Sequence, residues 1–223
     1  MPSPHVSQAL AVYTKGTKAW FPDEQEGWVS ATLQTSDVND TNVKFVFVND
    51  DDANREHVFA SSMADLEKTK GDNLPPLRNP PKMECAEDLT NLSHLNEPSV
   101  LHTIRARYNQ RLIYTYSGIV LIATNPFDRV SLYDPEIIQR YSGRRRGELE
   151  PHLFAIAEDA YRCMIREKSN QTIIVSGESG AGKTVSAKYI MRYFATADDK
   201  ETIGKAKHSD GAMTEVEEQI LGK

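Results

Sequence analysis

Apolar and polar positions along the chain follow two rhythms, which change near residue 80. From Gly16 to about Ala60 the apolar residues come in short bursts, Thr17 to Phe21, Trp28 to Gln34, Val43 to Val48 and Glu56 to Ala60, separated by Asp, Asn, Gly and Pro clusters. Short β-rich runs bounded by turn-forming residues predict strands, and with them a small all-β module over 16–66. Trp20 and Trp28 are expected to supply much of its core, because few other residues in so short a module bury comparable area. Residues 1–15 read as an N-terminal tail. Ser61 to Lys82 is polar and then proline-rich through Leu74-Pro75-Pro76-Leu77-Arg78-Asn79-Pro80-Pro81. Each proline fixes its own φ and restricts its predecessor, so an extended linker is expected over 67–82.

Beyond the linker the rhythm lengthens. Glu97 to Tyr108 predicts a helix with Pro98 in its first turn and Val100, Leu101, Ile104 and Tyr108 as its apolar stripe. Leu112 to Tyr116 and Ile119 to Thr124 read as strands joined at Ser117-Gly118, and Pro151 to Arg166 as an amphipathic helix. Thr172-Ile173-Ile174-Val175-Ser176 is a β-branched run of the kind a buried parallel strand shows. Further on, Ala187, Ile190, Met191 and Phe194 recur at i, i+3, i+4 and i+7, on one face of a helix that begins near Gly182. The region from 83 onward is therefore expected to be α/β. Ala197 to Ala212 is polar and interrupted by Gly and Ser, which predicts a surface loop. Thr214 and Glu217 then have the spacing of a capping box at a new helix start.

Composition narrows the function classes. With 39% hydrophobic and 26% charged residues the chain is ordinary globular material, and a net charge of -6 supplies no basic field for a nucleic-acid backbone. No apolar run approaches roughly 18 residues and the first residues lack a secretory pattern, so neither membrane insertion nor export is expected and the location reads as cytoplasmic. The two cysteines, Cys85 and Cys163, lie far apart without C-x-x-C spacing, and the histidines form no metal-binding pair. Arg144-Arg145-Arg146 reads as a solvated turn with local ion pairs rather than an anion site.

The candidate chemistry is concentrated in Gly177-Glu178-Ser179-Gly180-Ala181-Gly182-Lys183-Thr184, the pattern G-x-x-x-x-G-K-[ST]. Between a strand and a helix, such a loop turns backbone N–H groups toward phosphate oxygens, and the helix N-terminus adds partial positive charge. Glycines remove the Cβ atoms that would obstruct the approach. Lys183 would reach the β- and γ-phosphates and the Thr184 hydroxyl would ligate Mg²⁺, so a nucleoside triphosphate with Mg²⁺ is the expected ligand. Thr69-Lys70-Gly71-Asp72 has the form of a guanine-reading motif but precedes the loop in a polar segment, and is read as coincidence.

These residues carry a resemblance. GESGAGKT with Lys188-Tyr189-Ile190-Met191-Arg192-Tyr193 resembles the myosin motor. Asp88 through Pro98 looks like its D-[LM]-x-x-L-x-x-L-[NH]-E-P opening, and Ile113 to Gly118 with Ala123-Thr124-Asn125-Pro126-Phe127 looks like its Y-T-Y-x-G…[AV]-x-N-P segment. Residues 16–66 are similar to the SH3-like N-terminal domain of many myosins. TNPFDRV and GRRRGELEPHLFAIAEDAY are closest to a fungal-type class V heavy chain.

The resemblance implies an SH3-like barrel followed, over 83–223, by the first part of an α/β motor core. It implies that Gly177 to Thr184 bind the triphosphate while Asn125, Pro126 and Tyr133 frame the adenine. Asp128 stands where some myosins carry a basic residue. The implied activity is ATP hydrolysis coupled to movement on actin, with cargo transport for class V, on the actin cytoskeleton; actin and calmodulin-like light chains would bind through parts outside these residues. No N-x-N-S-S-R or D-x-x-G segment occurs in the 223 residues. The chain is therefore expected to be a fragment ending before switch I and to hydrolyse ATP inefficiently by itself. Two alternatives remain open: a self-standing ATP-binding or phosphotransferase domain, and a non-catalytic interaction module.

Overall fold

A computed structural model describes residues 2–203 of the 223, with side chains described to residue 196. The architecture is mixed α/β, and the chain divides into two compact units, Met1–Ala86 with Asn91–Arg105, and Glu87–Thr90 with Ala106–Lys223.

The first unit is built on a four-stranded antiparallel sheet in the order β1-β2-β3-β4: β1 Lys18–Asp23, β2 Gly27–Val38, β3 Asn42–Asn49 and β4 Glu56–Ser62. Side-chain carboxylate and amide groups close its turns: Asp23 accepts from the N–H groups of Gln25 and Glu26, and Asn39 from those of Thr41 and Asn42. In β3 the period of two is explicit. Val43, Phe45 and Phe47 are buried and form the core with Leu33 of β2. Leu33 lies opposite Phe47, and Phe45 opposite Phe59.

The tryptophans are not the centre of this core. Alternation sends Ala19 and Phe21 inward and leaves Trp20 on the other side of β1. There its indole N–H donates to Ser99 Oγ at 3.3 Å, its ring meets His102 at 5.0 Å between centroids, and the Arg78 guanidinium lies 5.1 Å above it. Trp28 is only half-buried.

Residues read as tail and linker also carry core. Pro4–Ala11 form helix α1, and its Val6 and Leu10, one turn apart, are buried in the cluster. Within the polar stretch, Met63–Thr69 form helix α2, capped by Ser62, which accepts from the Asp65 N–H at 3.1 Å, and ended by Lys70 in the left-handed conformation, φ 54°. Its Met63 and Leu66 are buried, as is Leu74. A segment with few apolar residues still packs when those few share one face. The proline-rich run is extended as expected, but it lies paired along β1: the Trp20 N–H donates to the Pro76 carbonyl at 2.8 Å and the Arg78 N–H to the Lys18 carbonyl at 2.9 Å. Prolines are tolerated in that position because an edge segment needs only alternate donors.

Helix α3, Glu97–Asn109, departs from its expected stripe. Leu101 is half-exposed and Val100, Ile104 and Tyr108 are only partly covered, whereas Pro98, Ser99, Thr103 and Arg107 are buried. The polar face goes inward where Ser99 and Arg107 find hydrogen-bonding partners, which an apolar count cannot register.

In the second unit β5, Tyr114–Ser117, and β6, Val120–Ala123, form an antiparallel hairpin. Gly118, φ 57°, makes the turn, and its N–H donates to Asp88 Oδ1 at 3.0 Å. Three helices follow: α4 Pro135–Tyr141, α5 Leu153–Glu167 and α6 Lys183–Ile203. Ile138, Leu153, Phe154, Ala157, Ile190 and Tyr193 form the centre of its core. On α6, Ile190 is buried as the spacing requires, but Met191 is half-exposed and Tyr193 takes the interior position. Arg146, from the basic triplet, donates to the Gly118 carbonyl and stacks 4.1 Å above the Tyr116 ring.

Two further expectations are corrected. Thr172–Ser176 is assigned to no strand, and Ile174 is 85% exposed. A parallel strand is held by ladders to its neighbours, and the described residues of this unit offer only the β5–β6 hairpin as sheet. The expected loop over Ala197–Ala212 begins as helix, since α6 runs to Ile203. The remainder of that loop and the helix start at Thr214 lie outside the described residues.

Candidate functional site

The octapeptide joins the extended segment before it to α6, whose first residue is Lys183. Gly180 and Gly182 have φ of 81° and 94°, in the left-handed region that side chains disfavour, and the Ser186 N–H donates to the Gly182 carbonyl at 2.9 Å to start the helix. A Cβ at Gly177 would meet the Ala181 Cβ at 3.1 Å, so the loop is tight at that point. The Lys183 ammonium curls back over it and donates to the carbonyls of Gly177 at 2.8 Å and Glu178 at 2.7 Å. Thr184 is exposed.

The residues expected to frame a base converge on the same place from the other end of the hairpin. Asn125 lies just beyond β6; its Nδ2 donates to the Gly180 carbonyl at 2.9 Å and its Oδ1 accepts from the Phe127 N–H at 2.9 Å, with Phe127 at φ 48°. The Pro126 carbonyl accepts from the Tyr108 hydroxyl at 3.3 Å. Tyr133 stacks on Tyr189 of α6, with ring centroids 3.7 Å apart and planes 11° from parallel, and shares a 2.8 Å hydrogen bond between hydroxyls with Tyr114. Arg192 Nη1 donates to the Tyr133 carbonyl at 3.1 Å, which ties the segment to α6 a second time. Burial raises the Tyr133 phenol above its ordinary value, so it stays neutral.

Together these parts enclose a cavity of about 860 Å³. Asn125, Pro126 and Tyr133 line it with the loop from Ser179 to Thr184, while Gly177 and Glu178 are not in the wall. Its surface is mixed, with Lys183 and Arg129 as cations and Asp128 as the carboxylate. The Arg129 N–H and then the Arg111 guanidinium, 3.1 Å away, hold the Asp128 carboxyl below the usual range. Residues that spacing did not single out also line it: Ile113, Tyr114, Val130 and Tyr189. The Tyr189 stack could not be read in advance because Tyr189 lies on α6 and Tyr133 on a loop 56 residues earlier.

Residues 86–223 match the Myosin head (motor domain) family. The chain belongs to that family. It is 55% identical to Myosin-2A of Naumovozyma castellii and 55% identical to Myosin-2 of Saccharomyces cerevisiae, each over 92% of this chain. It is 45% identical to unconventional myosin-Va of Gallus gallus over 96% of this chain. The chain spans 13%, 13% and 11% of the length of these relatives. Among the described residues of this myosin head segment, no group of three or more His, Cys, Asp or Glu could hold a metal ion, so the exposed Thr184 hydroxyl stands without a carboxylate cluster beside it. No helix among them is long and apolar enough to cross a membrane.

Proposed function

We propose that the cavity binds ATP with Mg²⁺ and that the chain is the nucleotide-binding part of an actin-based myosin motor. The observation that carries this reading is the shared cavity: the wall supplied by Ser179 to Thr184 and the wall supplied by Asn125, Pro126 and Tyr133 face one volume large enough for a nucleotide. The residues present suit the ligand. Gly180 and Gly182 leave open space where a Cβ would stand, Lys183 brings a cation to the loop, and Thr184 offers an exposed hydroxyl. Mg²⁺ would neutralise charge on the phosphates, entering with the nucleotide, since no group of three or more His, Cys, Asp or Glu among the described residues could hold it. Gly177 and Glu178 would complete the phosphate loop from behind the wall. Pro126 and the Tyr133–Tyr189 stack would hold the adenine side.

For the longer protein the reading is ATP hydrolysis coupled to movement on actin filaments in the cytoplasm. Calmodulin-like light chains would bind elsewhere in that protein. Residues 16–66 would be its SH3-like domain and 83–223 the start of its motor core, with 67–82 between them. TNPFDRV and GRRRGELEPHLFAIAEDAY support a class V type. The 223 residues alone are expected to turn ATP over slowly, because no N-x-N-S-S-R segment is among them to sense the γ-phosphate. Titration with a fluorescent ATP analogue and Mg²⁺ tests the core of the reading. Saturable binding that Lys183→Ala weakens at least about tenfold is expected, in keeping with loss of a charge-assisted phosphate contact. Equal binding by the variant would sink it.

A further inference from the structure

Asn125 has both ends of its side-chain amide engaged within the protein. Its Nδ2 donates to the Gly180 carbonyl and its Oδ1 accepts from the Phe127 N–H. The Gly180 carbonyl belongs to the same peptide plane as the Ala181 N–H, which donates to the Glu178 carbonyl at 3.2 Å. That plane is therefore fixed at both of its polar ends, by Asn125 on one side and by the loop itself on the other. Without the first contact it is held at one end only. Gly180 has φ 81°, no Cβ and nothing within 4 Å of the place a Cβ would take, so rotation there meets little steric resistance. A turned plane would also break the Ala181–Glu178 hydrogen bond and reshape the loop that lines the cavity together with Lys183 and Thr184, changing the surface offered to an anion.

We infer that Asn125 is a positioning residue for the phosphate loop, holding the Gly180–Ala181 peptide in the orientation that closes the loop through the Ala181–Glu178 bond, and that its effect on nucleotide affinity passes through the phosphates rather than through the base. The inference rests on the ATP-binding reading above. It assigns Asn125 to the opposite end of the ligand from Pro126 and Tyr133, although the three lie close together in sequence.

The test compares ATP with inorganic tripolyphosphate, which has no base. Both are titrated with Mg²⁺ into the intact chain carrying Asn125→Ala, and into Asn125→Ser, whose shorter hydroxyl can still accept from the Phe127 N–H but cannot reach Gly180. Melting temperatures are measured alongside, and Asn125→Ser carries the comparison if Asn125→Ala folds poorly. The expected result is a loss of about fivefold for ATP and for tripolyphosphate alike, the size of one net hydrogen bond. Loss for ATP with tripolyphosphate unchanged would make Asn125 a base contact and overturn the inference, as would no loss for either. Failure of the unsubstituted chain to bind either ligand would remove the ATP-binding reading itself, and the inference with it.

Discussion

Each of the two units has an interior held together by a different kind of contact. The first buries apolar residues almost exclusively, with Leu33, Val43, Phe45, Phe47 and Leu66 at its centre, and its buried polar groups are the neutral Ser30, Asn49, Asn79, Ser99 and Thr103. In the second, Arg107, His152, Glu158 and Arg192 are all buried, each with hydrogen-bonding partners. All four of these side chains belong to the unit with the cavity. Apolar burial is strong but has no direction, whereas a hydrogen bond between buried groups fixes distance and angle. A sheet module needs the first. A cavity whose walls come from a hairpin, a loop and a helix is better served by the second.

The largest expected effect tests the apolar side. Phe47→Ala should cost about 3–5 kcal/mol, because the ring is fully buried and leaves a cavity. Both tryptophans lie in the first unit, so the fall in urea midpoint can be followed there by their fluorescence. A cost under about 1 kcal/mol would mean that this core is not what holds the unit.

The polar side makes an acid prediction. Burial lowers the His152 pKa from 6.5 to about 4, against the weaker opposing effect of the Leu132 carbonyl. Its Nδ1 accepts from the Phe154 N–H, which starts α5, and its Nε2 meets that carbonyl at 3.0 Å, so the folded ring is neutral. Between pH 6.5 and about 4 the unfolded chain binds the proton and the folded one does not. Stability from this group is therefore complete above pH 6.5 and falls by up to about 3 kcal/mol as the pH drops through that window. Glu87, raised by burial and by Glu150, contributes with the opposite sign. His152→Asn, which can cap without titrating, isolates the effect: urea unfolding followed by tyrosine near-ultraviolet dichroism should lose most of its acid slope. An unchanged slope would show that His152 is not its source. Arg107→Ala should come next, at about 2–3 kcal/mol, since it strands the Tyr114 carbonyl and Thr115 hydroxyl. A loss within experimental error on the same urea assay would count against directional contacts holding this unit.

The difference between the units also explains what could be read in advance. The strands were legible because Val43, Phe45 and Phe47 place large apolar groups on one face at a period of two, a purely local signal. The stripe on α3 was misread because Ser99 and Arg107 become interior through partners elsewhere in the chain, Trp20 for Ser99 and Tyr114 for Arg107. Thr172–Ser176 shows the converse, a local strand signal whose ladder depends on neighbours it does not have here. At the candidate site the octapeptide is contiguous, so its spacing is visible as text. The bond from Asn125 to Gly180 spans 55 residues and depends on the hairpin and α6 being in place.

Glu158 gives the smallest and sharpest test of the comparison. Its Oε1 accepts from the Gly143 N–H at 2.8 Å and its Oε2 from the Tyr193 hydroxyl at 2.7 Å, joining the end of α4, the middle of α5 and the interior face of α6. Burial and this carboxylate together push the Tyr193 phenol well above its ordinary range, so the hydroxyl remains the donor. Glu158→Gln keeps an acceptor for one partner and offers the other an NH₂ group, which the Tyr193 hydroxyl can meet only by reversing its own role or the amide by turning toward Gly143. One charge-assisted bond is exchanged for a weaker one, at a cost of about 1 kcal/mol. Glu158→Leu removes both acceptors and should cost about twice as much, despite adding apolar surface to a buried position. Urea unfolding followed by tyrosine dichroism distinguishes the two. If leucine proves as stable as glutamate, the second unit packs like the first and its buried charges are incidental to its stability. If glutamine lies between them, direction rather than apolar area sets the geometry of the helices around the cavity.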